Sequence, residues 1–78
     1  MARCDKIEAK AERAANSLSF DDLCYLAECY GFVLRRQSGS HRIYKKAGHP
    51  VLSLQPRKDG KAKAYQVRQV LENRNSRS

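Results

Sequence analysis

The chain has 78 residues, enough for one domain with a thin core, which excludes a deep cavity walled by several layers of structure. Sixteen Lys and Arg against eight Asp and Glu leave a formal net charge of +8, and 41% of the residues are hydrophobic. A globular, strongly basic domain of this kind suits nucleic acid or an acidic protein as partner and excludes a disordered chain. No stretch approaches the ~20 apolar residues that span a bilayer, and the first ten residues lack the apolar segment of a secretory signal, so no membrane association is expected.

Residues 4–16 are rich in Ala, Glu and Lys, good helix formers, with a thin apolar stripe of Ile7, Ala11, Ala14 and then Leu18. Residues 1–18 therefore read as a helical extension packed loosely on a domain of residues 19–72, with a polar tail at 73–78. Ser19 with Asp22 resembles a capping box and opens a stronger helix. Phe20, Leu23, Cys24, Ala27 and Tyr30 follow at spacings of three and four, and Gly31 is placed to end the helix in a left-handed conformation.

From Phe32 the period changes to two, with Phe32 and Leu34 alternating with Val33 and Arg35. Gly39-Ser40 makes a turn, residues 41–46 a second strand, residues 47–50 another turn, and residues 51–55 a third strand with Leu52 and Leu54 on one face. Two short turns in succession predict an antiparallel meander. Residues 56–63 form a basic loop, and Ala64, Val67, Val70 and Leu71 mark the apolar face of a last helix whose opposite face carries Gln66, Arg68, Gln69 and Glu72. The expected architecture is α+β, order ααβββα, with helices on one face of a three-stranded antiparallel sheet and the other face open. Phe20, Leu23, Ala27, Phe32, Leu34, Ile43, Leu52, Leu54, Val67 and Leu71 are its expected core.

The chemistry-bearing run is Arg35 to Lys46, where one histidine, His41, stands at a hairpin tip among basic residues and Tyr44. Cleaving RNA without a metal requires a group that moves a proton to or from ribose and leaving-group oxygens, and cations that offset the charge growing on phosphate. Imidazole suits the first task and Arg or Lys the second. His49, in Gly48-His49-Pro50, reads only as a turn residue. Cys4, Cys24 and Cys29 cannot all pair within the chain and form no C-x-x-C, so reduced thiols in a cytoplasm fit best and no zinc site is expected. The acidic residues are concentrated in the first thirty positions, which leaves no carboxylate cluster for magnesium in the sheet region. Phosphate-loop and nucleophile-elbow motifs are also lacking.

The order Ser19-Phe20-Asp21-Asp22-Leu23, Tyr30-Gly31-Phe32, Gly39-Ser40-His41-Arg42-Ile43-Tyr44 resembles the HicA toxins of toxin–antitoxin pairs. The later Gln55 and Lys61-Ala62-Lys63-Ala64-Tyr65-Gln66-Val67-Arg68-Gln69-Val70-Leu71 extend the resemblance. It implies a fold like that of double-stranded-RNA-binding domains, metal-independent and cofactor-free cleavage of mRNA, growth arrest, and neutralisation by a HicB-type antitoxin. The family's essential histidine corresponds to His41 and the glycine before it to Gly39. Ala64 departs from the proline common there in the family. On this reading RNA is held by Arg35, Arg36, Ser40, Arg42, Tyr44, Lys45, Lys46, Lys61 and Lys63. A non-catalytic RNA-binding module and a docking domain for an acidic protein are the alternatives.

Overall fold

In the computed structural model, which describes residues 2–74, the elements follow the order α1 (Arg3–Arg13), a short 3-10 turn (Ala15–Ser17), α2 (Phe20–Cys29), β1 (Val33–Ser38), β2 (His41–Lys45), β3 (Leu52–Leu54) and α3 (Ala64–Glu72). The strands form one antiparallel sheet in the order β1-β2-β3. The ααβββα order and the sheet are those expected from the sequence.

The ends of α2 are set by its own residues. The Ser19 hydroxyl accepts a hydrogen bond from the Asp22 N–H at 3.1 Å, which satisfies one of the donors that a helix start leaves unpaired. At the other end Gly31, at φ +94°, donates to the Glu28 carbonyl while Phe32 donates to that of Ala27. These two bonds close the helix in a Schellman arrangement that requires a residue free to adopt positive φ. Lys46 adds a further stop, its Nζ reaching the Tyr30 carbonyl at 2.5 Å.

The core lies between the helices and one sheet face. Leu18, Leu23, Leu26, Ala27, Tyr44, Leu52, Leu54, Ala62, Val67 and Val70 have no solvent exposure, and Phe20, Cys24 and Phe32 have very little. Ile7 and Ala11 are buried too, so α1 packs on α2 and α3 as part of the same core, and its partial cover extends to Tyr30 and Leu71. Arg74, just past α3, binds Glu8 at 3.0 Å and also Glu12, tying the last helix to the first.

Two expectations about the core and one about the cysteines are corrected. Ile43 is only half-buried and Tyr44 fully buried, the reverse of the expected faces. The cause is register: Tyr44 pairs with Leu52 and Arg42 with Leu54, so residues 42 and 44 share the inward face of β3 while Ile43, paired with Ser53, points the other way. Leu34 pairs with Tyr44 yet stays 39% exposed, because β1 is an edge strand that α2 covers only sparsely. Finally, the thiols are not all free. Cys4 on α1 and Cys29 at the end of α2 form a disulfide, and only Cys24 is unpaired. The part of the polar tail beyond residue 74 lies outside the described residues.

Candidate nucleic-acid interface

His41 opens β2, immediately after the two-residue Gly39-Ser40 turn, and pairs with Ser38 across the mouth of the β1–β2 hairpin. Gly39 stands at φ +59° while Ser40 keeps an ordinary negative φ, the pattern of a type II′ turn with glycine in its first central position. The turn thus needs Gly39 for conformational rather than chemical reasons. His41 is exposed, and among the described residues no hydrogen bond or ion pair holds its ring.

Side chains alternate along a strand, so His41, Ile43 and Lys45 share one face of β2. Their cross-strand partners Ser38, Arg36 and Val33 on β1, and Ser53 on β3, share it with them. This is the face the helices leave open. The register shifts between Leu34 and Arg36, where β1 carries an extra residue. Through that bulge Arg35 and Arg36 line a single depression with Ile43 and Lys45. Arg36 sits diagonally across from His41, which in an antiparallel pair corresponds to ~7–8 Å between backbones.

Continuing the β2–β3 register by one residue sets Gln55 opposite His41. Gln55 in turn accepts a hydrogen bond from Lys63 Nζ at 3.5 Å, which brings the start of α3 to the His41 end of the sheet. Lys61 is exposed and lies on the isolated bridge that links it to Ser19. Lys46 is at the other end of the sheet and is occupied with the Tyr30 carbonyl, its ammonium also lying 5.7 Å from the Phe32 ring centre.

Two residues expected to hold RNA do not reach this face. Tyr44 has no exposed surface; its hydroxyl donates to Glu28 at 3.3 Å, and burial raises its pKa above the ordinary tyrosine value. Arg42 turns inward with it, its guanidinium 5.4 Å from the Phe20 ring centre and beside Cys24. The Cys24 thiol is likewise pushed up by burial. The inward face therefore contains a polar cluster, neutral at the buried Tyr44 and Cys24 and reaching solvent through Arg42, that supports the sheet. His49 is structural as well, packed edge-on against Phe32 at 5.4 Å and hydrogen-bonded to Asn73 at 3.4 Å.

Sequence reasoning put Ile43 in the core rather than on the open face, and it placed Gln66 on a solvent face. A composition signal existed only for Gln66, a polar residue one position before the buried Val67. Among the described residues no group of three His, Cys, Asp or Glu is placed to hold a metal ion.

With this geometry in place, the comparison with known families is decisive. The family described as "HicA toxin of bacterial toxin-antitoxin" matches residues 20–73. The chain belongs to the HicA toxin family. The match runs from the first residue of α2 to just past α3, so the HicA region comprises two helices and the whole sheet, and α1 lies before it. As a family member the chain is a toxin of a toxin–antitoxin system and has an antitoxin as its partner. No curated protein and no solved structure gives a significant match.

Proposed function

We propose that this HicA family toxin is an endoribonuclease that cuts mRNA in the cytoplasm, without a metal ion or other cofactor, and so arrests growth until a HicB-type antitoxin covers its open face. The observation that carries this reading is the placement of His41: an unencumbered imidazole at the hairpin mouth, on a sheet face where Arg36 sits diagonally across from it.

In the reaction the ribose 2′-oxygen attacks the adjacent phosphorus and the bond to the 5′-oxygen breaks, giving a cyclic phosphate and a free 5′-hydroxyl. His41 takes the 2′-hydroxyl proton or gives one to the leaving 5′-oxygen, help worth ~10²- to 10⁴-fold in rate. Arg36 stabilises the charge that grows on the phosphate oxygens, and Lys63 stands at the same end of the sheet. Because the ring has no fixed partner among the described residues, the substrate itself completes its orientation. The antitoxin surface that meets this face is acidic, which speeds association and fixes its direction.

Purified His41→Ala protein, incubated with a long single-stranded RNA, tests the assignment. Cleavage and growth arrest are lost while folding and most RNA affinity remain. A folded variant that cuts at the wild-type rate refutes the role of His41. Wild-type protein that binds RNA without cutting it identifies a binding module, and protein that does neither identifies a docking domain.

A further inference from the structure

The open face carries a second feature four residues from His41 along β2. There the sheet forms a pocket of about 460 Å³. Val33 and Val51 supply an apolar floor, 53% and 48% exposed, and Arg35 and Lys45 stand over it as cations. Lys46 and His49 close the end of the pocket and are held by the contacts described above. None of the ion pairs among the described residues involves Arg35 or Lys45. About half of each valine stays open to solvent beside two cations that no ion pair neutralises, an exposed apolar surface the core does not account for.

We infer that this pocket is a nucleotide subsite for the same RNA strand that passes His41, with a base resting on Val33 and Val51 and its phosphate held by Arg35 and Lys45. The inference rests on the endoribonuclease reading and extends it to substrate recognition. His41, Ile43 and Lys45 lie on one face at successive alternate positions, so a continuous track joins the two sites. Four strand residues span ~13 Å. A single strand rising ~3.4 Å per stacked nucleotide covers that distance in about four nucleotides, and in fewer when stretched. Single-strand binders divide the work in this way, cations tracking the phosphates and a non-polar platform taking the base, here two valines in place of the usual aromatic ring. The bulge matters here, since without the extra residue Arg35 would fall on the opposite face of β1 from Arg36.

The test is the affinity of the full chain for uridine oligomers of two, four, six and eight nucleotides carrying 2′-O-methyl groups, which block attack by the 2′-oxygen. For the wild type, affinity rises by about tenfold or more at the length that first reaches the pocket. Arg35→Ala, Lys45→Ala and Val51→Glu flatten that step, lowering the ratio of long to short oligomer affinity, whereas Arg36→Ala weakens all lengths and keeps the ratio. An unchanged ratio in the three pocket variants overturns the subsite. So does a pocket variant that keeps the step but no longer binds an acidic partner protein, which would assign the pocket to that partner. Because the oligomers are not cut, the two readings fail separately. A length step in a protein that never cleaves RNA removes the endoribonuclease and leaves the subsite. Cleavage without a step removes the subsite alone.

Discussion

Gln66, buried in the first turn of α3, donates to the Ser53 carbonyl at 3.2 Å and accepts from the Gln55 N–H at 3.1 Å. Its amide pairs with the outer edge of β3 as a neighbouring strand would, and so closes a three-residue strand that otherwise ends the sheet. Replacing Gln66 with Ala leaves the Ser53 carbonyl and the Gln55 N–H without their partner and should cost about 1–3 kcal/mol. Urea unfolding measures it, and a loss below ~0.5 kcal/mol would mean that water replaces the side chain without penalty.

Tyr44 separates a core role from an RNA role. Tyr44→Phe keeps the ring between the helices and Leu52 and removes the hydroxyl, with its bond to Glu28 and its interactions with Cys24 and Arg42. Stability should fall by about 0.5–1.5 kcal/mol and RNA affinity should stay unchanged. Tyr44→Ala should cost about 3–5 kcal/mol through the cavity it leaves. A Phe variant of normal stability that loses RNA binding would return Tyr44 to the interface.

The Cys4–Cys29 bond joins α1 to the far end of α2 across 25 residues of sequence. A loop of that size restricts the unfolded chain enough to stabilise the fold by ~3 kcal/mol on the chain-entropy account. The oxidised protein should therefore melt well above the reduced one, and Cys4→Ser should behave like the reduced protein under both conditions. Thiol titration offers an independent check: native oxidised protein should expose no reactive thiol, and unfolding should release Cys24 alone.

Alkaline pH should weaken the fold. Burial raises Cys24, Tyr30 and Tyr44 above their ordinary values, and the carboxylate of Glu8 adds to the effect on Tyr30. Each group is neutral when protonated, so the unfolded chain loses these protons at lower pH than the native one. The stabilisation is complete below the unfolded values, ~8.5 for Cys and ~10 for Tyr, and declines as pH rises beyond them. Melting temperature followed from pH 8 to 11 should fall, and the Tyr30→Phe, Tyr44→Phe double variant should fall less steeply. Parallel curves would show that the hydroxyls ionise in the native state without penalty.

What could be read from the chain was what local rules decide. Ser19 marked the start of α2 and Gly31 its end, and each makes the backbone bonds those residue types favour. The switch from helical spacing to alternation located all three strands. Face assignment in β2 was not local. His41 to Lys45 carries Ile43 and Tyr44 side by side, either of which is apolar enough to be buried. The choice falls to Leu52 and Leu54, which select their partners across the ladder. The bulge in β1 has the same character, since nothing in Leu34-Arg35-Arg36 requires an extra residue there. The turn was legible because Gly39-Ser40 between two alternating runs favours a tight reversal, and that turn fixes His41 at the start of β2. The pocket at the other end of β2 was not, because its floor joins Val33 of β1 to Val51, just before β3, and their neighbourhood follows only from the register.

The face bearing His41 and Arg36 contributes nothing to the hydrophobic interior, and β1 is exposed along its whole length. On the proposed role of His41, harm and foldedness are thus separable properties of this chain. A single substitution at the hairpin mouth would then disarm it while leaving the buried interior intact. Selection against a toxic protein therefore has a short route that needs neither truncation nor loss of expression. A disarmed copy of this kind would persist as a folded decoy that occupies antitoxin meant for its active counterparts.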